Sequence, residues 1–288
     1  MQTRKIESNI LLFIVIRSIF LLFFFKESLL NIILGSLIGF ILIKIYNKLK
    51  IKNNILMKMI LVLVLLISST FILKDITKFI EYNILKNYSK FILGLSFIVI
   101  CFLLSYKGYH SYIKSLELSS YIIAFLGISS ILLLVYNVDI NNFNIQALKE
   151  VNINYQFIST GLFIFLGYAI INYLNNYQLN NKIYFGSIIT IVILKLLTIG
   201  ILGETLLNIY DYPYISILKR IQYLDFVERM EGILSLQYLF DFFFLFSLVL
   251  LTIKIILTDI FKLKKDKVLN ITLSVISLMI FLISYTIL

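Results

Sequence analysis

Nine long stretches made mostly of Ile, Leu, Phe and Val succeed one another along this chain of 288 residues, separated by short polar connections. They cover residues 9–25, 29–45, 55–74, 91–106, 119–136, 155–174, 183–203, 226–257 and 268–287. A water-soluble core cannot absorb so much apolar chain: 60% of the residues are hydrophobic, 14% are charged and the mean hydropathy is +0.98. A bilayer can. Its hydrocarbon layer, about 30 Å thick, is crossed by roughly 20 helical residues. Helices are required because backbone N–H and C=O groups find no water there. The expectation is therefore an all-α integral membrane protein, one multi-pass domain over residues 1–288 with nine transmembrane helices.

The connections set the orientation. With the N-terminus inside, the inner connections hold fourteen Lys and Arg and the outer ones nine, and such an excess belongs on the cytoplasmic side. Arg4 and Lys5 precede the first span in the manner of a secretory signal. No small-residue cleavage site follows and a second span starts at once, so the first span is expected to stay attached. The connections also account for the formal charge of +11, so nucleic acid is not an expected partner. The basic runs Lys44 to Lys52 and Lys262 to Lys267 point instead to anionic lipid at the membrane surface. Cys101 stands alone, which excludes an intrachain disulfide and a thiolate metal site. The sequence holds no glycine-rich phosphate loop, metal-ligand cluster or nucleophile beside a histidine. Neither catalysis nor a metal or cofactor is expected.

One segment interrupts the apolar pattern. "DYPYISILKRIQYLDFVERMEG", residues 211–232, carries the only proline of the chain. From Pro213, the apolar Tyr214, Ile217, Leu218, Ile221 and Leu224 recur at steps of three and four, one face of a helix too short to span. Proline suits the first helical position, where its missing N–H would be unpaired anyway. Asp225 and Glu228 have the spacing of a capping pair for a second helix starting at Phe226. Residues 75–90 and 211–225 are both read as non-spanning amphipathic segments on the outer face.

Several polar residues fall inside spans. Residues 9–25 contain fourteen Ile, Leu, Phe or Val, worth roughly −4 to −8 kcal/mol on insertion, against about +3 for the central Arg17. The span therefore inserts with its arginine, which should face the interior and seek an anion. Its partner is either a ligand carboxylate or, structurally, Asp241, midway along the eighth span, or a backbone carbonyl. Lys195 in the seventh span competes for Asp241, and a Lys195–Asp241 ion pair would leave Arg17 to a ligand. Ser159, Thr160 and Gly161 interrupt the sixth span, either as a helix break near the midplane or as small residues admitting a close neighbour. Ser68, Ser69 and Thr70 in the third span offer hydroxyls to a cavity, or else bond their own turn's carbonyls. Only four of the 26 basic residues are arginine, a hint that those retained matter for their geometry.

Pro213, some ten residues, then "DFVERMEG" and the aromatic "YLFDFFFLFS" resemble the segment before the eighth helix of the spore germination permease family. These are the B subunits of nutrient germinant receptors, distant members of the amino-acid/polyamine/organocation transporter superfamily. Phe226, Glu228, Arg229 and Glu231 match that family's Phe-x-Glu-Arg-x-Glu after the proline. In "YKGYHSYIKSLEL", Gly108 and Glu117 match a second motif, with Lys114 where the family has arginine. The opening "RKIESNILLFIVIRS" is similar to the family's basic-Ile start, and the likeness runs from about residue 4 to residue 287. Two departures stand out. Arg17-Ser18 replaces a glycine midway along helix 1, where the family's backbone unwinds to help form a ligand site, and the chain ends after its ninth span where the family has a tenth.

The resemblance implies a LeuT-like core of five-plus-five inverted repeats, here without the tenth helix. It implies a small nutrient, an amino acid, entering from the outer face and met by Arg17, Ser18, Ser69, Ser159, Thr160, Gly161 and Asp241. Pro213, Asp225, Glu228, Arg229 and Glu231 would form an outer lid, and Gly108, Lys114 and Glu117 an inner-loop motif. Partner A and C subunits and the inner membrane of a bacterial endospore are likewise implied. Two alternatives stay open: a secondary transporter of amino acids or amines, and a membrane scaffold that binds no nutrient.

Overall fold

The computed structural model describes residues 2–21, 27–49, 55–85, 88–143, 156–175, 178–210, 212–220, 231–262 and 266–287. These form ten α-helices: α1 (Gln2–Ile19), α2 (Leu29–Leu49), α3 (Ile55–Asn83), α4 (Lys90–Tyr106), α5 (Tyr109–Val135), α6 (Gln156–Asn175), α7 (Asn181–Ile209), α8 (Pro213–Arg220), α9 (Glu231–Phe261) and α10 (Asp266–Ile287). A 3-10 turn covers Ile140–Asn142.

The chain is thus all-helical, and five of the described helices are long and apolar enough to cross a membrane: Leu29–Lys48, Lys58–Asn83, Phe157–Asn175, Asn181–Gly203 and Ser235–Phe261. Nine were expected from hydropathy. The fourth and fifth expected spans form a single broken unit, Lys90–Tyr106 and Tyr109–Ser129, bent by 116°. Gly108, at φ +90°, makes that bend at no steric cost. Counted as one, the pair gives six spans. Only 18 residues of α1 are described, and the first third of them is polar. In α10 the apolar stretch among the described side chains is Ser274–Tyr285. Residues 75–83, read as a surface segment, continue α3 without a break.

Two compact units are distinguished. The first comprises Met1–Ile45, Ser119–Ile171 and Gln178–Tyr238. Its helices touch through glycine: a Cβ on Gly35 would lie 1.8 Å from Thr160 Oγ1, and one on Gly161 would lie 2.8 Å from Ile38 and 3.0 Å from the Gly35 carbonyl. Gly35 and Gly39 are one turn apart on α2, so this is a small-residue seam with backbones in contact. A Cβ on Gly167 would lie 2.8 Å from Val15, which puts α1 on another side of α6. In α7, Gly203 at φ +72° breaks the helical ladder. The carbonyl of Gly200 that this releases accepts from Asp139 N at 3.0 Å and Asn142 Nδ2 at 2.8 Å, so the kink leaves that group satisfied.

The second unit comprises Tyr46–Leu118, Asn172–Tyr177 and Leu239–Leu288. Here α3, α4 and α10 pack on one another, with Phe91 against Phe281 and Phe97 against Phe246. Three side chains donate to the α9 backbone: Cys101 to Phe243 O at 3.9 Å, Ser105 to Ser247 O at 2.9 Å and Tyr112 to Phe244 O at 3.0 Å.

Candidate ligand site

In the first unit the last turn of α1 carries Arg17, whose side chain is 6% exposed and lies among Leu12, Ile14, Val15, Ile16 and Phe20, all buried. The helix passes into a π turn at Phe20–Leu21, a widening that recurs at functional positions. From α9, two neighbouring residues hold this end of α1. Tyr238 donates its hydroxyl to the Leu21 carbonyl at 3.3 Å. Gln237, 2% exposed, sets its side-chain amide against the Arg17 guanidinium; in the amide orientation that satisfies both groups its oxygen accepts from both terminal nitrogens, one of them at 3.0 Å.

A third helix makes room for this pair. A Cβ on Gly127 of α5 would lie 3.3 Å from the Gln237 amide and 4.0 Å from the guanidinium. The amide orients the arginine by a forked hydrogen bond but carries no charge of its own. A guanidinium set in this way has the planar fork that suits a carboxylate.

The other expected site residues are distributed unevenly. Ser18 is fully buried beside Arg17, and its hydroxyl donates to Ile14 O at 2.8 Å. Ser159, Thr160 and Gly161 belong to the opening turns of a continuous α6. No helix break occurs at those three residues. Thr160 donates to Phe157 O at 2.8 Å and, with Gly161, meets α2, so small residues here admit a close neighbour. Ser69 lies in the second unit and donates to Leu66 O at 2.6 Å. Asp241, also of the second unit, is fully buried on α9. Lys195 is 2% exposed on α7 in the first unit.

At the segment expected to form a lid, Pro213 is buried and opens α8. The Tyr212 carbonyl accepts from Ile215 N and Ser216 N, as a proline at the first helical position requires. Tyr214, Ile215 and Ile217 are buried, and α8 packs against α7. Asp225, Glu228 and Arg229 lie outside the described residues, as does the side chain of Glu231, whose backbone begins α9. In the motif at the bend, Lys114 is exposed and Glu117 half-buried one turn later on α5.

Gln237 and Gly127 were not found by sequence reasoning. A glutamine four residues before Asp241 was legible as sharing a helical face with it. Nothing in a single sequence pairs either residue with α1.

No curated protein matches the chain. A family model described as "spore germination protein" matches it over residues 9–287. That range takes in the buried arginine of α1, the bend at Gly108 and the proline-led α8, and with it this multi-pass, all-helical chain belongs to the spore germination protein family.

Proposed function

We propose that the chain is the nutrient-recognising, transporter-like subunit of a spore germinant receptor, and that a small nutrient, an amino acid, is met through its carboxylate by Arg17. The observation that carries this reading is a guanidinium 6% exposed in a membrane protein, oriented by a neutral amide. Such a charge costs several kcal/mol to keep in hydrocarbon and marks a functional position by default. Membership of a family of transporter-like proteins, not typically enzymes, supports the same reading.

In this account the core is a LeuT-like inverted repeat in the inner membrane of a bacterial endospore. Its A and C partner subunits receive the signal, and anionic lipid contacts the basic connections. Signal transmission requires that the nutrient bind one packing of the core more tightly than another. The segment 211–225 serves as a lid, with the buried face of α8 as its docked side.

The test is thermal unfolding of the purified chain across a nutrient panel. A ligand at 100 times its Kd adds about 2.7 kcal/mol, and Arg17→Ala should remove that gain while leaving membrane insertion intact. A flat panel favours a scaffold. Uptake by liposomes holding this chain alone favours a transporter.

A further inference from the structure

Ten residues after Arg17, at the entrance to α2, the first unit holds a second cluster that hydropathy disguises as a solvated connection. The Ser28 hydroxyl accepts from Asn31 N at 3.2 Å and caps the helix. One turn in, Asn31 is 1% exposed. Its Nδ2 donates to a carboxylate oxygen of Glu27 at 3.3 Å, while its Oδ1 has no hydrogen-bond partner among the described residues. A buried amide oxygen left in that state is destabilising.

Glu27 itself is half-buried. Burial pushes its carboxyl above the ordinary range, and the opposing pulls, the Asn31 hydrogen bond and the charge of Lys195, do not cancel that push. A carboxylate and an orphaned amide oxygen are thus tied together through one 3.3 Å hydrogen bond. The donor that answers both is a compact cation bearing several N–H groups.

We propose that Glu27 and Asn31 form a subsite for the ammonium group of the ligand. The assignment rests on the nutrient-recognition reading and supplies its missing half. Arg17 takes the carboxylate, and the entrance to α2 takes the amine. Both half-sites belong to the first unit.

The experiment uses the full chain in lipid nanodiscs and reads thermal unfolding with each common L-amino acid. Each amino acid that stabilises is then compared with its decarboxylated amine and its deaminated acid. The amine is expected to stabilise the wild type. Glu27→Gln should weaken it at least about tenfold, the loss of one hydrogen bond to a charged group, and leave the acid's effect unchanged. Asn31→Ser should weaken it in the same direction, which keeps the test valid if Glu27→Gln folds poorly. Arg17→Gln should do the reverse, weakening the acid alone. An amine that stabilises wild type and both variants equally overturns the subsite. So does an amine without effect beside an acid that depends on Arg17, and that outcome leaves the nutrient reading standing. An amine effect that needs Glu27 beside an acid effect indifferent to Arg17 upholds the subsite and removes Arg17. A panel without any shift overturns both.

Discussion

The two units bury polar groups of different kinds. In the first, helices meet closely through Gly35, Gly161 and Gly167, and beside buried Ser and Thr the long, strongly polar Arg17, Asn31, Lys195 and Gln237 are buried. In the second, helices meet through phenylalanine rings. Short neutral donors from Cys101, Ser105 and Tyr112 spend themselves on carbonyls of α9, with Asp241 the buried carboxylate on that helix. A hydroxyl given to a neighbouring carbonyl costs little in hydrocarbon, whereas a guanidinium or ammonium costs several kcal/mol. The second pattern is that of helix adhesion. The first sets costly cationic groups among apolar side chains.

The contrast can be broken at its seams. Gly35→Ala drives a methyl to 1.8 Å from Thr160 Oγ1 and 2.9 Å from Phe157 O, and should cost about 3 kcal/mol or more in an SDS-unfolding titration. Gly186→Ala, on α7 with nothing within 4 Å, should be neutral or stabilising by up to about 1 kcal/mol. Equal losses at both positions would show that the seam is not held by backbone contact.

Next in size is Arg17→Gln. The variant keeps a hydrogen-bonding group opposite the Gln237 amide. With ligand it should lack the gain of about 2.7 kcal/mol expected at 100 times Kd. In the second unit, Ser105→Ala removes one neutral hydrogen bond and should cost about 1 kcal/mol, with no change in any ligand response. A ligand effect at Ser105 would erase the distinction between the units.

The smallest effect concerns pH. Because burial raises the Glu27 carboxyl above the ordinary 4.5, the folded chain retains this proton over a range where the unfolded chain has released it. Stability from this group is present at low pH and is lost as pH rises from about 4.5 through the raised value. Asn31 and Lys195 oppose the shift, so the slope should be shallow. Glu27→Gln should flatten it, as read from unfolding midpoints across pH.

Much of the fold was legible in the sequence, because lipid imposes one periodicity and one length. The spans of α2, α6, α7 and α9 fall where hydropathy puts them, and Arg17 is buried as its place in an apolar run demands. Bends were less legible. Gly108 and Gly203 turn the backbone by taking positive φ, and a lone glycine reads the same in a straight helix. At Ser159–Gly161 two readings were open, and the neighbouring Gly35 and Gly39, with their four-residue spacing, were the unused signal for close packing. Glu27 and Asn31 were missed because "KES" before a span looks like solvated loop. Only tertiary context shows Asn31 to be sealed.

The central claim, that the Arg17 guanidinium receives a ligand carboxylate, is tested most directly by equilibrium dialysis of labelled amino acids against wild type, Arg17→Lys and Arg17→Gln. The account predicts saturable binding of at least one amino acid to the wild type, weakened in Arg17→Lys by loss of the planar fork and absent in Arg17→Gln. Wild-type affinity in Arg17→Gln would contradict it.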